Sequence, residues 1–134
     1  MKTEIKHPEK RVSTGAYSAA IEADGWVFVS GQGPLDLQTG QVRHGTIEEE
    51  TKLTMTHLGK ILAAAGCSFD DVVRCGCHLA DIGDFARFNQ AYAGFFKGAF
   101  PARTTVQSGL GDGIKVEIDC IARGPRRAKK RARR

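Results

Sequence analysis

Apolar and polar positions change period several times along the chain, and each change marks an element. Residues 17–31 read as a hairpin. Tyr17-Ser18-Ala19-Ala20-Ile21 leads to Asp24-Gly25, a dipeptide that tolerates the positive φ of a tight turn. Trp26-Val27-Phe28-Val29-Ser30 follows as a second strand, apolar on both faces, which predicts a place in the middle of a sheet. Residues 33–45, with Pro34, Gly40 and Gly45, read as a loop. Residues 46–65 carry the strongest helical pattern: Ile47, Thr51, Met55, Leu58, Leu62 and Ala65 recur every three or four positions. Thr46 with Glu49 predicts a capping box, Glu48 to Glu50 favour the positive end of the helix dipole, and Gly66 suits a left-handed cap.

Residues 72–79 (VVRCGCHL) read as a strand with Val73, Cys75, Cys77 and Leu79 on one face. A second helix is expected over 84–96, with Phe85, Phe88, Tyr92 and Phe95 on one stripe and Pro101 beyond it. Residues 102–108 and 115–122 are the last two strands, on either side of a glycine-rich turn at 109–113. The order strand, strand, helix, strand, helix, strand, strand predicts an α+β single-domain sandwich with two helices on one face of one sheet. So short a chain has no third layer for the other face, and self-association is the economical cover.

Charge changes the picture only at one end. The chain of 134 residues has a formal charge of +5, with 20 Lys and Arg against 15 Asp and Glu. Residues 123–134 (RGPRRAKKRARR) hold eight of those cations and no acid, so residues 1–122 carry a net charge of −3. A mildly acidic domain over 1–122 is thus followed by a basic, disordered C-terminal tail over 123–134. No apolar run reaches the ~18 residues of a membrane helix, and MKTEIKHPEK has no apolar stretch of the kind a secretory signal needs. Cys67, Cys75, Cys77 and Cys120 fit reduced thiols in a cytoplasmic protein better than a disulfide framework.

Few residues stand out as chemistry. Cys75 and Cys77 point one way from a strand and His78 the other, so the cluster does not converge on a metal, and core thiols are expected. The run Gly109–Gly113 precedes a strand, not a helix, and reads as a turn rather than a phosphate cradle. His7, His44, His57 and His78 are scattered, and no Ser/His/Asp constellation is readable. Arg103 follows Phe100-Pro101-Ala102 at the start of a strand that reads as interior, and a guanidinium is rarely buried unpaired. It is also the side chain best shaped to grip a carboxylate. Glu117, between Val116 and Ile118, is a second charge among apolar neighbours. The two could form an internal salt bridge, sit on solvated faces, or belong to a site.

Taken in order, the segments Gly15-Ala16-Tyr17-Ser18, Val29-Ser30-Gly31-Gln32, Leu62-Ala63-Ala64-Ala65-Gly66, Asn89-Gln90-Ala91-Tyr92, Phe100-Pro101-Ala102-Arg103-Thr104 and Val116-Glu117-Ile118-Asp119 resemble the RidA/YjgF family of reactive-intermediate deaminases, also known as L-PSP endoribonucleases. The resemblance runs from about residue 13 to residue 122. It implies a chorismate-mutase-like fold with one mixed sheet, a homotrimer with a barrel-like centre, and a ligand cleft at each subunit interface. It also implies hydrolysis of enamines and imines such as 2-aminoacrylate to 2-oxo acids and ammonia, without cofactor or metal. On that reading Arg103 holds the substrate carboxylate and Glu117 activates water. Gly31 and Thr105 supply backbone contacts, Tyr17 forms an aromatic wall, and Ser30 and Asn89 line or support the cleft. Ala16 and Ala19 depart from the family's usual residues beside Tyr17, which bears on the side chain the pocket accepts. Thr105 stands where several members have Cys, which excludes a thiol there.

A two-residue turn at Asp112-Gly113 would pair Glu117 with Ser108. Arg103 would then lie about 16 Å away at ~3.3 Å per residue, on the opposite face. A longer or bulged turn would resolve this, and so would a site shared between two subunits. Two other functions compete with hydrolysis. One is a nuclease or RNA-binding protein, with the basic tail gripping phosphates. The other is a non-catalytic module that binds small carboxylates through Arg103.

Overall fold

A computed structural model of the chain describes residues 1–124. Six strands and two helices follow one another as β1 (Thr3–Ile5), β2 (Ala20–Ala23), β3 (Trp26–Gln32), α1 (Ile47–Ala64), β4 (Val72–Leu79), α2 (Phe85–Ala93), β5 (Ala102–Gln107) and β6 (Val116–Arg123). They form a single sheet in the order β1-β2-β3-β6-β4-β5. All pairs are antiparallel except β4 with β5, so the sheet is mixed, and the fold is the expected α+β type.

Local chemistry accounts for most of the boundaries. At the start of α1, Thr46 Oγ1 accepts from the Glu49 amide at 3.1 Å and Glu49 Oε1 accepts from the Thr46 amide at 2.9 Å, which completes the capping box. At its end Gly66 takes φ +80°, and the amides of Gly66 and Cys67 donate to Ala63 and Leu62. Asp24 and Gly25 take φ of 52° and 80° in the β2–β3 turn. Glu50, one turn into α1, is buried rather than merely dipole-placed. Its carboxylate accepts from the amides of Gly45 and Lys115 at 3.0 and 2.8 Å, and so ties the start of α1 to the start of β6.

Alternation then sorts the sheet into two faces. Val27, Val29, Cys75, Cys77, Ile118 and Cys120 are buried under Met55, Leu58 and Ile61 of α1 and Phe88 and Tyr92 of α2. Truncating a side chain as buried as Leu58 or Ile118 to Ala would cost about 2–5 kcal/mol. Among the described residues no layer covers the opposite face, and Phe28, Val106 and Trp26 remain 45%, 41% and 38% exposed. Among the described residues no helix is long and apolar enough to cross a membrane.

Several expectations are corrected. The last two strands do not form a hairpin with each other; β4 lies between them, pairing β5 on one side and β6 on the other. The strand carrying Arg103 is therefore an edge strand, not an interior one. Val73 is exposed, because a register shift between Val72 and Arg74 puts Val72 in the core instead. The first hairpin strand starts at Ala20, not Tyr17, and the expected second helix is divided into a 3-10 turn (Ile82–Asp84) and α2, which ends at Ala93. The expected boundary after residue 122 falls inside β6: Arg123 stacks on Trp26 at 4.9 Å, and the Gly124 amide donates to Gly25. The rest of the basic segment lies outside the described residues.

Candidate functional site

Arg103 leaves β5 on the helix-facing side and lies under α2. Its Nη1 donates to Asn89 Oδ1 at 2.7 Å. The guanidinium lies 4.9 Å from the Tyr92 ring centre, 5.4 Å from Phe85 and 5.8 Å from Phe88. These are cation–π distances, and the rings form a rigid seat for the charge. No carboxylate reaches it among the described residues. Arg103, Asn89, Tyr92, Ala93, Phe100 and Pro101 line a cavity of about 330 Å³, the size of a small-molecule site.

Glu117 lies on the other, open face of the sheet. In the ladder Arg103 stands beside Cys75, whereas Glu117 stands beside His78, three residues further along β4 and on its far side. Three residue rises and two strand spacings place the two backbones roughly 10 Å apart in each direction. An internal Arg103–Glu117 salt bridge is thereby excluded. Within one protomer the two charges do not converge, because the turn between their strands is longer than two residues and β4 intervenes.

Glycines shape the surroundings of the acids on β6. A Cβ at Gly31 would meet Glu117 Oε2 at 2.3 Å, so the carboxylate rests directly on the β3 backbone there. A Cβ at Gly76 would meet Asp119 Oδ1 at 2.8 Å, so Asp119 leans the opposite way, onto β4. No donor engages the Glu117 carboxylate among the described residues.

The remaining expected residues divide between the two regions. Asn89 joins Arg103. Thr105, two residues along β5 and on the same side as Arg103, is half-buried beside Cys77. Gly31 joins Glu117. Ser30 is used structurally: Oγ donates to the Ser18 carbonyl at 2.6 Å and so secures the chain before β2. Tyr17 is 50% exposed; its hydroxyl is 2.5 Å from Thr14 Oγ1, and Lys10 Nζ lies 5.4 Å from its ring centre. Cys75 and Cys77 face the core and His78 the open face. Burial pushes the Cys77 thiol up to about 12 and raises Cys75 and Cys120 as well, so none is poised as a thiolate nucleophile.

A further cluster went unread in the sequence. Ser108 Oγ lies 2.8 Å from His78 Nδ1, and Asp119 Oδ2 lies 3.8 Å from His78 Nε2. The fold thus brings together a Ser/His/Asp grouping that the scattered histidines of the sequence do not reveal. Ser108 is 30 residues from His78 in the chain, and only the parallel pairing of β4 with β5 brings them together.

Comparison with known proteins adds a second line of evidence. The family model described as Endoribonuclease L-PSP matches residues 8–124. Protein DfrA of Myxococcus xanthus is 48% identical over 81% of this chain and 85% of its own length. The 2-iminobutanoate/2-iminopropanoate deaminase of Mus musculus is 43% identical over 83% of this chain and 84% of its own. Among solved structures, RidA from the Antarctic bacterium Psychrobacter sp. PAMC 21119 superposes with a TM-score of 0.84 at 31% identity, covering 91% of this chain and 99% of that one. E. coli TdcF with bound serine gives 0.84 at 29% identity, covering 91% and 98%. From matching residues, fold and relatives together, the chain belongs to the RidA/YjgF family.

Proposed function

We propose that the protein hydrolyses small, reactive enamines and imines that carry a carboxylate, of the 2-aminoacrylate kind, to 2-oxo acids and ammonia. The observation that carries this reading is the Arg103 guanidinium, seated on three aromatic rings beside a small cavity without a carboxylate of its own. Two parallel N–H donors suit a substrate carboxylate, and Asn89 fixes the fork from behind. The mammalian relatives' names and the serine held by TdcF, a small amino acid with the same carboxylate, agree with that choice.

Such compounds hydrolyse in water unaided, so positioning plus one base is enough. Arg103 holds the carboxylate and orients the C=N carbon. Glu117, without a hydrogen-bond partner among the described residues, takes a proton from the attacking water, a contribution of about 10²–10⁴-fold for a typical general base. Because the two lie on opposite faces of one sheet, joint action requires two protomers. One supplies Arg103 and Thr105 from its β5 edge and Asn89 from α2, and its neighbour supplies Glu117, Gly31, Ser30 and Tyr17. The uncovered face with Phe28 and Val106 is the surface through which a homotrimer would form.

The test is direct. With 2-aminoacrylate generated by a dehydratase, wild type accelerates 2-oxo acid release and Arg103→Ala loses about 10²-fold or more in kcat/KM, as expected when a charged anchor is removed. Equal rates for the two proteins would overturn the proposal.

A further inference from the structure

The open face carries a polar row that crosses three strands. Ser108, just past β5, contacts His78 on β4 at 2.8 Å, and His78 contacts Asp119 on β6 at 3.8 Å. His78 also stands directly opposite Glu117 in the β4–β6 ladder, on the same face. Directly opposed residues hold their Cβ atoms about 5 Å apart. Glu117 and Asp119 are two residues apart on one strand, and two like charges so placed repel. The glycine notches let them splay, Glu117 onto Gly31 and Asp119 onto Gly76. The Asp119 carboxylate thereby comes within 3.8 Å of the imidazole, and no donor among the described residues engages Glu117 on the other side.

We propose that His78 is a second proton carrier of the site, working with Glu117, and that Ser108 and Asp119 are positioning residues for its ring. The inference rests on the deaminase reading above. That reaction moves protons in both directions, and a single carboxylate handles only one at a time. The reacting form is the iminium, C=NH2⁺, which an enamine gives when its carbon is protonated. As water bonds to the iminium carbon, Glu117 takes a proton from it and the C=N π pair goes to nitrogen, giving a neutral carbinolamine. The His78 imidazolium then gives its proton to that nitrogen. The C–N bond breaks and its electron pair leaves with ammonia. The hydroxyl proton returns to His78 as the C=O bond forms, and Glu117 passes its proton to the departing ammonia as ammonium. Imidazole both gives and accepts protons near neutral pH, which fits the second role.

Among the described residues every charged group facing the ring lies on the sheet. β6 brings Glu117 and Asp119, and β4 brings Arg74, whose guanidinium leans to Thr104 Oγ1 at 3.4 Å. From β5 come only neutral groups, Thr104 and Val106, with Ser108 after them. Both helices pack on the other face.

The experiment measures kcat and KM of the full chain between pH 5.5 and 9 for wild type, Glu117→Gln, His78→Gln, Ser108→Ala and Asp119→Asn. His78→Gln is expected to lower kcat by about 10²-fold, leave KM within about twofold, and remove one limb of the pH profile. Asp119→Asn keeps that limb and lowers kcat less than His78→Gln does, because the ring remains and loses only a positioning neighbour. A purely structural role for His78 would move none of these limbs. Wild-type kcat and profile in His78→Gln, with Glu117→Gln inactive, overturns this inference alone. Wild-type rate in Glu117→Gln overturns the deaminase reading and this inference with it. Histidine-ring NMR of wild type with and without 2-oxobutanoate gives an answer that needs no variant. The His78 ring resonances shift on ligand addition if the ring belongs to the site, and unchanged resonances overturn the proposal.

Discussion

Acidification should weaken the fold through one buried pair, His7 and His57. The rings meet edge to face with centres 5.5 Å apart, and both residues are buried, 6% and 4% exposed. His7 Nδ1 accepts from the Glu9 amide at 3.0 Å, which puts its proton on Nε2. His57 Nε2 lies 2.9 Å from the Leu35 carbonyl, an acceptor, and so carries the proton of that ring. The nitrogens left over, an N–H on His7 and a lone pair on His57, are both buried without a partner of their own. Protonating His7 puts a proton on Nδ1 and breaks its bond from the Glu9 amide, and protonating either ring buries a charge. Burial first, and the charge of His57 second, hold His7 down from 6.5 to about 4; His57 is lowered as well, mainly by burial. The unfolded chain therefore binds protons that the folded one refuses. The stability this pair contributes is fully present above pH 6.5 and is lost as pH falls towards 4. For His7 alone, linkage gives a loss of about 2 kcal/mol by pH 5 and about 3 kcal/mol by pH 4. Urea melts at pH 7.5, 6 and 5 check this against His7→Gln, which keeps an acceptor for Glu9 but does not titrate. Wild type should lose about 2 kcal/mol more than the variant between pH 7.5 and 5, a relative drop in Tm of roughly 6–10 °C. Parallel losses in the two proteins would refute the reasoning.

Three other outcomes follow from the geometry. Gly31→Ala places a methyl 2.3 Å from Glu117 Oε2; the carboxylate must swing away, so kcat should fall about 10-fold or more with a change in Tm of only a few degrees, read by steady-state assay and thermal melt. Arg103→Lys keeps the charge but loses the fork and the ring stacking, and should raise KM for the carboxylate substrate several-fold while the fold melts as wild type. Thr46→Ala removes half of the capping box and should cost about 0.5–2 kcal/mol in a urea melt without altering kcat.

Legibility in the sequence tracked how local each interaction is. The capping box at Thr46 and the αL turn at Gly66 depend on neighbours within five positions, and both were readable. The three-residue β1 was missed because Thr3-Glu4-Ile5 is too short to show a period. The partners of β5 and β6 were misread because adjacency in sequence suggested a hairpin, whereas β4 offers both strands a better-buried ladder. Arg103 and Glu117 were identifiable by residue type in apolar company, but their opposite faces depend on that insertion. Ser108, His78 and Asp119 each look ordinary alone; their contact is a product of strand register.

The position of β6 also has a consequence for biosynthesis. It is the last strand among the described residues, yet it joins β3 to β4 in the middle of the sheet. Until it leaves the ribosome, the nascent polypeptide holds two fragments, β1-β2-β3 and β4-β5, each with an unpaired inner edge. Completion of the fold is thus delayed until β6 has emerged, and those two edges are where premature chain–chain pairing would begin. A stalled or truncated product lacking Val116–Arg123 would expose both edges at once.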